Sequence, residues 1–148
     1  MKNYLISLCA LATCATAMAS GGTVVANGGF RDPKEGVATF AANINADELS
    51  KAFFVFASEG SHHGPDYPDA VFKSVNVVEY TNVGNSVVVR GSGLLYNFIP
   101  VTYMARFVDA GPTRGDTFEL HCYVQRSSHV VHFMERITAG DIVVTPGK

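Results

Sequence analysis

Two stretches of the chain alternate between apolar and polar side chains with a period of two. In residues 37–46 every second position is apolar. In Thr117–Val124 the apolar positions are again two apart, at Phe118, Leu120, Cys122 and Val124. Successive side chains of a β-strand point to opposite faces, so each stretch predicts a strand with one face in the core and the other in water.

The branched aliphatic residues extend this prediction to the rest of the chain. After residue 19 the sequence contains 19 valines but only 4 leucines and 4 isoleucines. Valine loses side-chain freedom in a helix and packs well on a pleated surface, whereas leucine favours helices. Only residues 46–50 have a helical composition. Further strands are predicted at residues 23–26, 52–57, 70–78, Ser86–Leu95, 101–109, 129–134 and 141–145.

Turn-forming residues separate the predicted strands. Gly, Pro, Asn and Asp cluster at residues 27–29, 64–66, 82–85, 111–115 and 139–141. No internal repeat or linker interrupts residues 20–148, which indicates one domain. We therefore predict an all-β fold, a single-domain antiparallel β-sandwich or barrel of about 8–10 short strands.

The first 19 residues have the pattern of a secretory signal peptide. Lys2 supplies a positive charge, residues 4–17 are nearly all apolar, and Ala17-Met18-Ala19 is the small–x–small pattern that precedes cleavage. We expect cleavage after Ala19 and a secreted or periplasmic location. One alternative is a membrane anchor, for which the apolar run is short. The other is lipidation of Cys14, which lies in a sequence close to a lipobox.

Cleavage would leave a weakly acidic chain with a single cysteine. Ten basic residues would remain against 13 acidic ones, which argues against a nucleic-acid partner because such proteins carry a clustered basic excess. Cys122 would be the last thiol, so an internal disulfide and a Cys-based zinc site are both excluded. No later segment is long and apolar enough to predict a transmembrane span.

Residues 62–69 are the most ligand-like stretch of the sequence. His62, His63 and Asp66 are candidate metal ligands, since imidazole and carboxylate groups bind divalent transition metals. The alternative is a solvated loop without a bound metal, because adjacent histidines tend to point apart and two prolines interrupt the stretch.

Three aromatic residues are candidates for stacking on a ligand. Tyr67, Tyr96 and Phe98 lie in or beside predicted loops, where an aromatic ring can face a sugar. A glycan or another cell-surface molecule is the partner that such rings would suit.

Asp109 and Asp116 bracket a loop rich in Gly and Pro. Paired carboxylates in such a loop can bind calcium or act as an acid–base pair. Calcium loops usually supply more oxygen ligands than two side chains. We therefore predict a structural role in which Asp109 and Asp116 accept backbone N–H groups of the turn.

The sequence carries none of the common catalytic signatures. Gly-x-Ser-x-Gly, His-Glu-x-x-His, a phosphate-binding glycine loop and a dinucleotide fingerprint are all absent. Cys122 and His121 are neighbours on one predicted strand and so face opposite ways, which excludes them as a nucleophile–base pair. We expect no cofactor and a non-enzymatic role. A small extracytoplasmic hydrolase is a further alternative, because scattered Ser, His and Asp residues can still assemble in space.

The order of these segments resembles the bacterial post-COAP domain, a small β-rich module of exported proteins. The resemblance is carried by a Gly-rich opening at residues 21–30, a strand ending in Asp109, the motif Gly115-Asp116-Thr117-Phe118 and a terminal strand beginning Gly140-Asp141-Ile142. It covers nearly all of residues 20–148 and departs at 62–69 and 94–100. It implies export, a β architecture and a structural role for Asp109 and Asp116, with no assigned activity or catalytic residues.

These observations predict a secreted or periplasmic β-module with a binding or structural role. The alternative is a glycan- or metal-binding protein that uses the 62–69 loop.

Overall fold

The computed structural model of the chain describes residues 21–32, 36–59, 69–124 and 130–147. Within these ranges the fold contains nine β-strands and one short 3₁₀ helix, Ala46–Lys51, and no described helix is long and apolar enough to cross a membrane. The strands are β1 (Gly22–Asp32), β2 (Gly36–Asn45), β3 (Phe53–Glu59), β4 (Ala70–Val83), β5 (Ser86–Leu95), β6 (Ile99–Val108), β7 (Thr117–Val124), β8 (Val130–Arg136) and β9 (Ala139–Pro146). The all-β prediction is confirmed, and each predicted strand overlaps one of these nine.

The strands form one antiparallel sheet in the order β8-β7-β6-β5-β4-β3-β2-β1-β9. Strands β1 to β8 follow one another as neighbours, and β9 returns to pair with β1. The sheet curls into a half-barrel. The curl brings distant strands together across the inner face. Phe40 of β2 stacks on Phe118 of β7 with ring centroids 4.2 Å apart, although four strands lie between β2 and β7 in the sheet.

Irregular pairing between β4 and β5 helps to curl the sheet. The register shifts between Ser74 and Asn76 and again between Val77 and Glu79, and such bulges bend a strand and increase its twist. At Gly91 of β5 the two backbones come so close that an added Cβ would overlap the carbonyl oxygen of Asn76. The close approach therefore requires glycine at this position.

The predicted turn at Asn27-Gly28-Gly29 is wrong, because these residues lie inside β1. Gly28 is paired with Phe40 of β2, and a Cβ on Gly28 would lie 2.7 Å from the Phe40 ring. Here glycine makes room for an aromatic side chain instead of turning the chain.

Aromatic rings fill the inner face of the sheet. Phe54 lies at the centre of this cluster, with ring centroids 5.2 to 5.8 Å from those of four other aromatic residues, namely Phe72, Tyr103, Phe107 and Phe118. All five are buried. Valine is found on both faces of the sheet, with Val87 and Val89 buried and Val75 and Val78 exposed. The valine excess thus predicts the strands, whereas phenylalanine builds the core.

Candidate functional site

Strand pairing places two histidines side by side on the outer face of the sheet. His121 of β7 is the register partner of His132 of β8, and the two imidazole rings stack with centroids 4.3 Å apart and planes 16° apart. Glu119 lies two residues before His121 on the same face, and its Oε1 is 2.6 Å from His121 Nε2. We call Glu119, His121 and His132 the outer-face cluster.

The buried side chains of β7 and β8 determine that His121 and His132 face outward opposite each other. Phe118, Leu120 and Cys122 of β7 are buried, so the alternate residues Glu119 and His121 must point outward. Phe133 of β8 is buried in the same way, which turns His132 outward. Because a register slip of one residue would expose the buried side chains, the core also holds the two histidines opposite each other.

The side chains of the cluster are held in place but remain open to solvent. The ring of Tyr123 lies nearly parallel to that of His121, at a centroid distance of 6.4 Å, and Glu119 contacts Nε2 of the same histidine. Only 19% of the His121 side chain and 18% of the Glu119 side chain are exposed, whereas His132 is an exposed residue. An ion from solution can therefore reach donors whose orientation is already restricted.

The distances within the cluster suit a metal ion. One donor atom from each residue lies within 4.8 Å of the other two. A tetrahedral site with bonds of about 2.1 Å separates its donor atoms by about 3.4 Å. The 2.6 Å contact between Glu119 and His121 must then widen by roughly 0.8 Å as the ion replaces the shared proton. Small rotations of the Glu119 and His121 side chains would supply this change and would leave a fourth coordination position open.

A positive charge lies next to the cluster. Arg106 of β6 is the register partner of Glu119, and its Nε donates a hydrogen bond to Ser86 Oγ at 3.0 Å. This hydrogen bond directs the guanidinium toward β5, whereas Glu119 contacts His121 on β7 itself. The charge of Arg106 opposes cation binding and so lowers the affinity of the cluster.

The two loop aspartates accept backbone N–H groups of their own turn. Asp116 Oδ1 accepts from the Ala110 N–H at 2.9 Å, and Asp109 Oδ1 accepts from the Gly111 N–H at 3.2 Å. Asp116 is buried, with 6% of its surface exposed. These bonds are of the kind that the sequence predicts for a structural role.

The second oxygen of each aspartate serves a different strand. Asp116 Oδ2 accepts from the Ile142 N–H at 2.8 Å, and Asp109 Oδ2 accepts from the Val144 N–H at 3.3 Å. Both donors belong to β9, at one end of the sheet, where unpaired N–H groups invite pairing with another chain. Pro146, two residues further along β9, has no N–H to expose. The carboxylates therefore cap the free edge of β9 as a neighbouring strand would.

A cavity of about 440 Å³ lies beside these aspartates, between their loop and the residues that connect β8 to β9. Asp109 and Asp116 both line it, but all four of their carboxylate oxygens already accept N–H groups. This engagement favours the structural role of Asp109 and Asp116 over calcium binding or acid–base chemistry.

Of the stacking candidates, Tyr96 and Phe98 lie in the turn between β5 and β6. The Tyr96 hydroxyl donates to the backbone carbonyl of Asp69, and the Tyr96 N–H donates to the Val71 carbonyl at 2.7 Å. Phe98 is 73% exposed, and its ring is inclined by 35° to that of Tyr96. Phe98 thus offers an open ring, but the two rings do not form a flat platform. Tyr67, together with His62, His63 and Asp66, lies outside the described residues.

Cys122 is buried on the inner face, as the alternation of β7 predicts. Burial raises the pKa of its thiol to about 12, so the sulfur stays protonated and a poor nucleophile near neutral pH. His121 points to the other side of the sheet, and the two residues cannot act together.

The sequence alone does not predict the outer-face cluster. The alternation of β7 places Glu119 and His121 on one polar face, which is a usable signal. His132 is 11 positions later in the sequence, and only the pairing of β7 with β8 brings it to His121. A histidine on the polar face of each of two consecutive strands is the sequence pattern that would have suggested this site.

Comparisons with known proteins assign nothing to this site. No family model, no curated protein and no solved structure matches the chain. The interpretation of the outer-face cluster therefore depends on its own geometry and chemistry.

Proposed function

We propose that the protein is an exported, non-enzymatic binding module that holds a divalent transition-metal ion in the outer-face cluster. The observation that carries this proposal is the direct cross-strand pairing of His121 with His132, with the Glu119 carboxylate 2.6 Å from His121. Two imidazoles and a carboxylate form a donor set for zinc, nickel, cobalt or copper. The signal-peptide pattern of residues 1–19 and the resemblance to the post-COAP domain support the exported location.

The position of the cluster favours binding over catalysis. A catalytic metal needs a cavity around its open position that holds a substrate and excludes water. The outer-face cluster instead lies on the outside of the curled sheet, and His132 is exposed. Such a site suits the capture, storage or transfer of an ion.

A bound ion would stabilise the end of the sheet. Among the described strands, β8 lies at the edge of the sheet and pairs only with β7, and an ion shared by His121 and His132 would link the two strands. Free ion at 100 times its Kd stabilises the folded state by about 2.7 kcal/mol. For a domain of this size, that corresponds to a rise in melting temperature of roughly 5–10 °C.

The test is thermal unfolding of the full, untagged chain with and without Zn²⁺, Co²⁺ or Ni²⁺. All proteins carry Cys9→Ser and Cys14→Ser, because free thiols bind these metals. We expect the melting temperature to rise with metal, and the rise to be lost in the variant His121→Ala/His132→Ala. Absorption of bound Co²⁺ reports the same loss without relying on stability.

The matched control is His62→Ala/His63→Ala, which removes two histidines from the loop that the sequence favours. We expect this control to keep the metal response in full. A response that survives His121→Ala/His132→Ala would refute the outer-face cluster as the site, and one that the loop variant abolishes would assign the metal to residues 62–69. Absence of any response in the parent protein would refute metal binding altogether.

A further inference from the structure

Two methionines flank the outer-face cluster. After residue 19 the sequence contains only two methionines, Met104 and Met134. Met104 of β6 is the register partner of His121, and Met134 of β8 is the register partner of Glu119. Both therefore share the outer face of the sheet with the cluster, on the strands to either side of β7.

Core packing does not explain either position. Met134 is 57% exposed, and Met104 is only partly buried. Directly opposed residues in an antiparallel pair have Cβ atoms about 4.5–5.5 Å apart. A methionine side chain has three rotatable bonds beyond its Cα. The Met104 thioether can therefore lie beside the His121 ring, and the Met134 thioether beside Glu119, so that one sulfur flanks the cluster on each side of β7.

We propose that the outer-face cluster, together with Met104 and Met134, is a copper(I) site, an inference that rests on the proposed metal-binding function. Thioether sulfur is a soft donor that favours Cu(I), whereas zinc and cobalt gain little from it. The donor set is then two imidazole nitrogens and up to two thioether sulfurs. The ion enters and leaves as Cu(I), so binding involves no electron transfer.

Glu119 has a different role toward this ion than toward a divalent one. When His121 Nε2–H donates to Glu119 Oε1, across the 2.6 Å contact, the other ring nitrogen, Nδ1, is free to bind copper. A carboxylate that fixes the tautomer and orientation of a ligating histidine is a common outer partner in metal sites. Glu119 is thus a ligand for a divalent ion but a positioning residue for Cu(I).

The experiment measures Cu(I) affinity in the absence of oxygen, by competition with the chromogenic chelator bicinchoninate. Co²⁺ affinity is measured in parallel on the same proteins. All are the full chain with Cys9→Ser and Cys14→Ser, so that only the buried Cys122 thiol remains. The test variant is Met104→Leu/Met134→Leu, which keeps the apolar volume and removes both sulfurs. The matched control is Met18→Leu, which removes a methionine distant in sequence from β6 to β8.

We expect the double methionine variant to lose at least about tenfold in Cu(I) affinity and to keep its Co²⁺ affinity within about twofold, because only the soft ion uses the sulfurs. Copper X-ray absorption should show sulfur neighbours in the parent protein and fewer in this variant. Glu119→Gln keeps an oxygen that can accept from His121 but loses the charge, so it should weaken Co²⁺ binding more than Cu(I) binding.

Equal Cu(I) affinity in the parent and the double methionine variant would overturn the copper proposal, as would an equal loss for both ions. In either case, Co²⁺ binding that still depends on His121 and His132 would leave the divalent metal site intact. If the parent protein binds neither ion through those histidines, the proposed function fails and the copper site fails with it.

Discussion

Asp116 joins two parts of the fold through its hydrogen bonds, so its removal should destabilise the protein. It is buried, and its two oxygens join the loop before β7 to β9, because Oδ1 accepts from Ala110 and Oδ2 accepts from Ile142. Replacing Asp116 with Ala removes both acceptors and leaves two N–H groups without a partner. The Ile142 residue is fully buried, so water cannot readily replace the lost carboxylate there.

The size of the effect follows from those two hydrogen bonds. A buried donor left without a partner costs about 1–3 kcal/mol, and the Ala110 donor is partly accessible to water. Asp116→Ala should therefore lower the free energy of unfolding by about 2–5 kcal/mol. Domains of this kind have a total stability of about 5–15 kcal/mol, so the loss is a large fraction of the whole.

Three variants in one region form a graded comparison. Asp109→Ala removes two longer hydrogen bonds, of 3.2 and 3.3 Å, from a part-buried carboxylate, and we expect a loss of about 1–2 kcal/mol. Asp141→Ala changes an exposed carboxylate near the start of β9 and should fall within about 0.5 kcal/mol of the parent protein.

Urea denaturation of all three variants gives the free energies of unfolding, and hydrogen exchange of the Ile142 amide reports the β9 edge directly. We expect this amide to exchange faster in Asp116→Ala under conditions where the variant remains folded. If Asp116→Ala and Asp141→Ala unfold at the same urea concentration, the carboxylate does not hold the edge of β9 and the reasoning is wrong.

Three further predictions concern the core, the curl of the sheet and the charge beside the cluster. Burial raises the pKa of Cys122 from 9.0 to about 12, so the folded state holds this proton more tightly than the unfolded state. The resulting contribution to stability is full below pH 9 and is lost as the pH rises toward 12. Mass-spectrometric mapping should accordingly find Cys122 unlabelled by iodoacetamide at pH 8 until the chain is unfolded, and equal labelling of the native protein would contradict its burial. Gly91→Ala forces a Cβ onto the Asn76 carbonyl and should cost about 3 kcal/mol or more in urea denaturation, whereas Gly29→Ala, which meets only ordinary contacts, should cost less than about 1 kcal/mol. Arg106→Gln removes a positive charge beside the cluster and should raise Co²⁺ affinity by at least about threefold at low salt, an effect that added salt reduces; an unchanged affinity would show that the charge does not reach the site.

Local sequence patterns were sufficient to predict the strands, because the alternation of side chains along a strand depends only on neighbouring residues. Alternation in Thr117–Val124 places every second side chain in the core, and the strand found there has the same bounds. Residues 46–50 were predicted as a single helical turn, and the 3₁₀ helix Ala46–Lys51 occupies that position. Each of these predictions depends on neighbours within a few residues, which the sequence displays directly.

Local patterns failed where a distant part of the chain determines the use of a residue. Asn27-Gly28-Gly29 has the composition of a turn, but the ring of Phe40 occupies the space that a side chain at Gly28 would take. Asp109 and Asp116 were predicted to stabilise their own turn, whereas their bonds to β9 could not be foreseen. Those bonds exist because the sheet curls and brings β9 back to a loop some 30 residues earlier in the sequence.

The sequence by itself determined that this chain is all-β, that Glu119 and His121 share a polar face and that Cys122 lies in the core. These properties follow from a two-residue repeat that the backbone imposes on every strand. Only the tertiary structure decided that His132 lies against His121 and that Met104 and Met134 flank them, because strand partners and register depend on how the inner faces pack across the curled sheet. The candidate metal site is thus a consequence of core packing, although none of its residues belongs to the core.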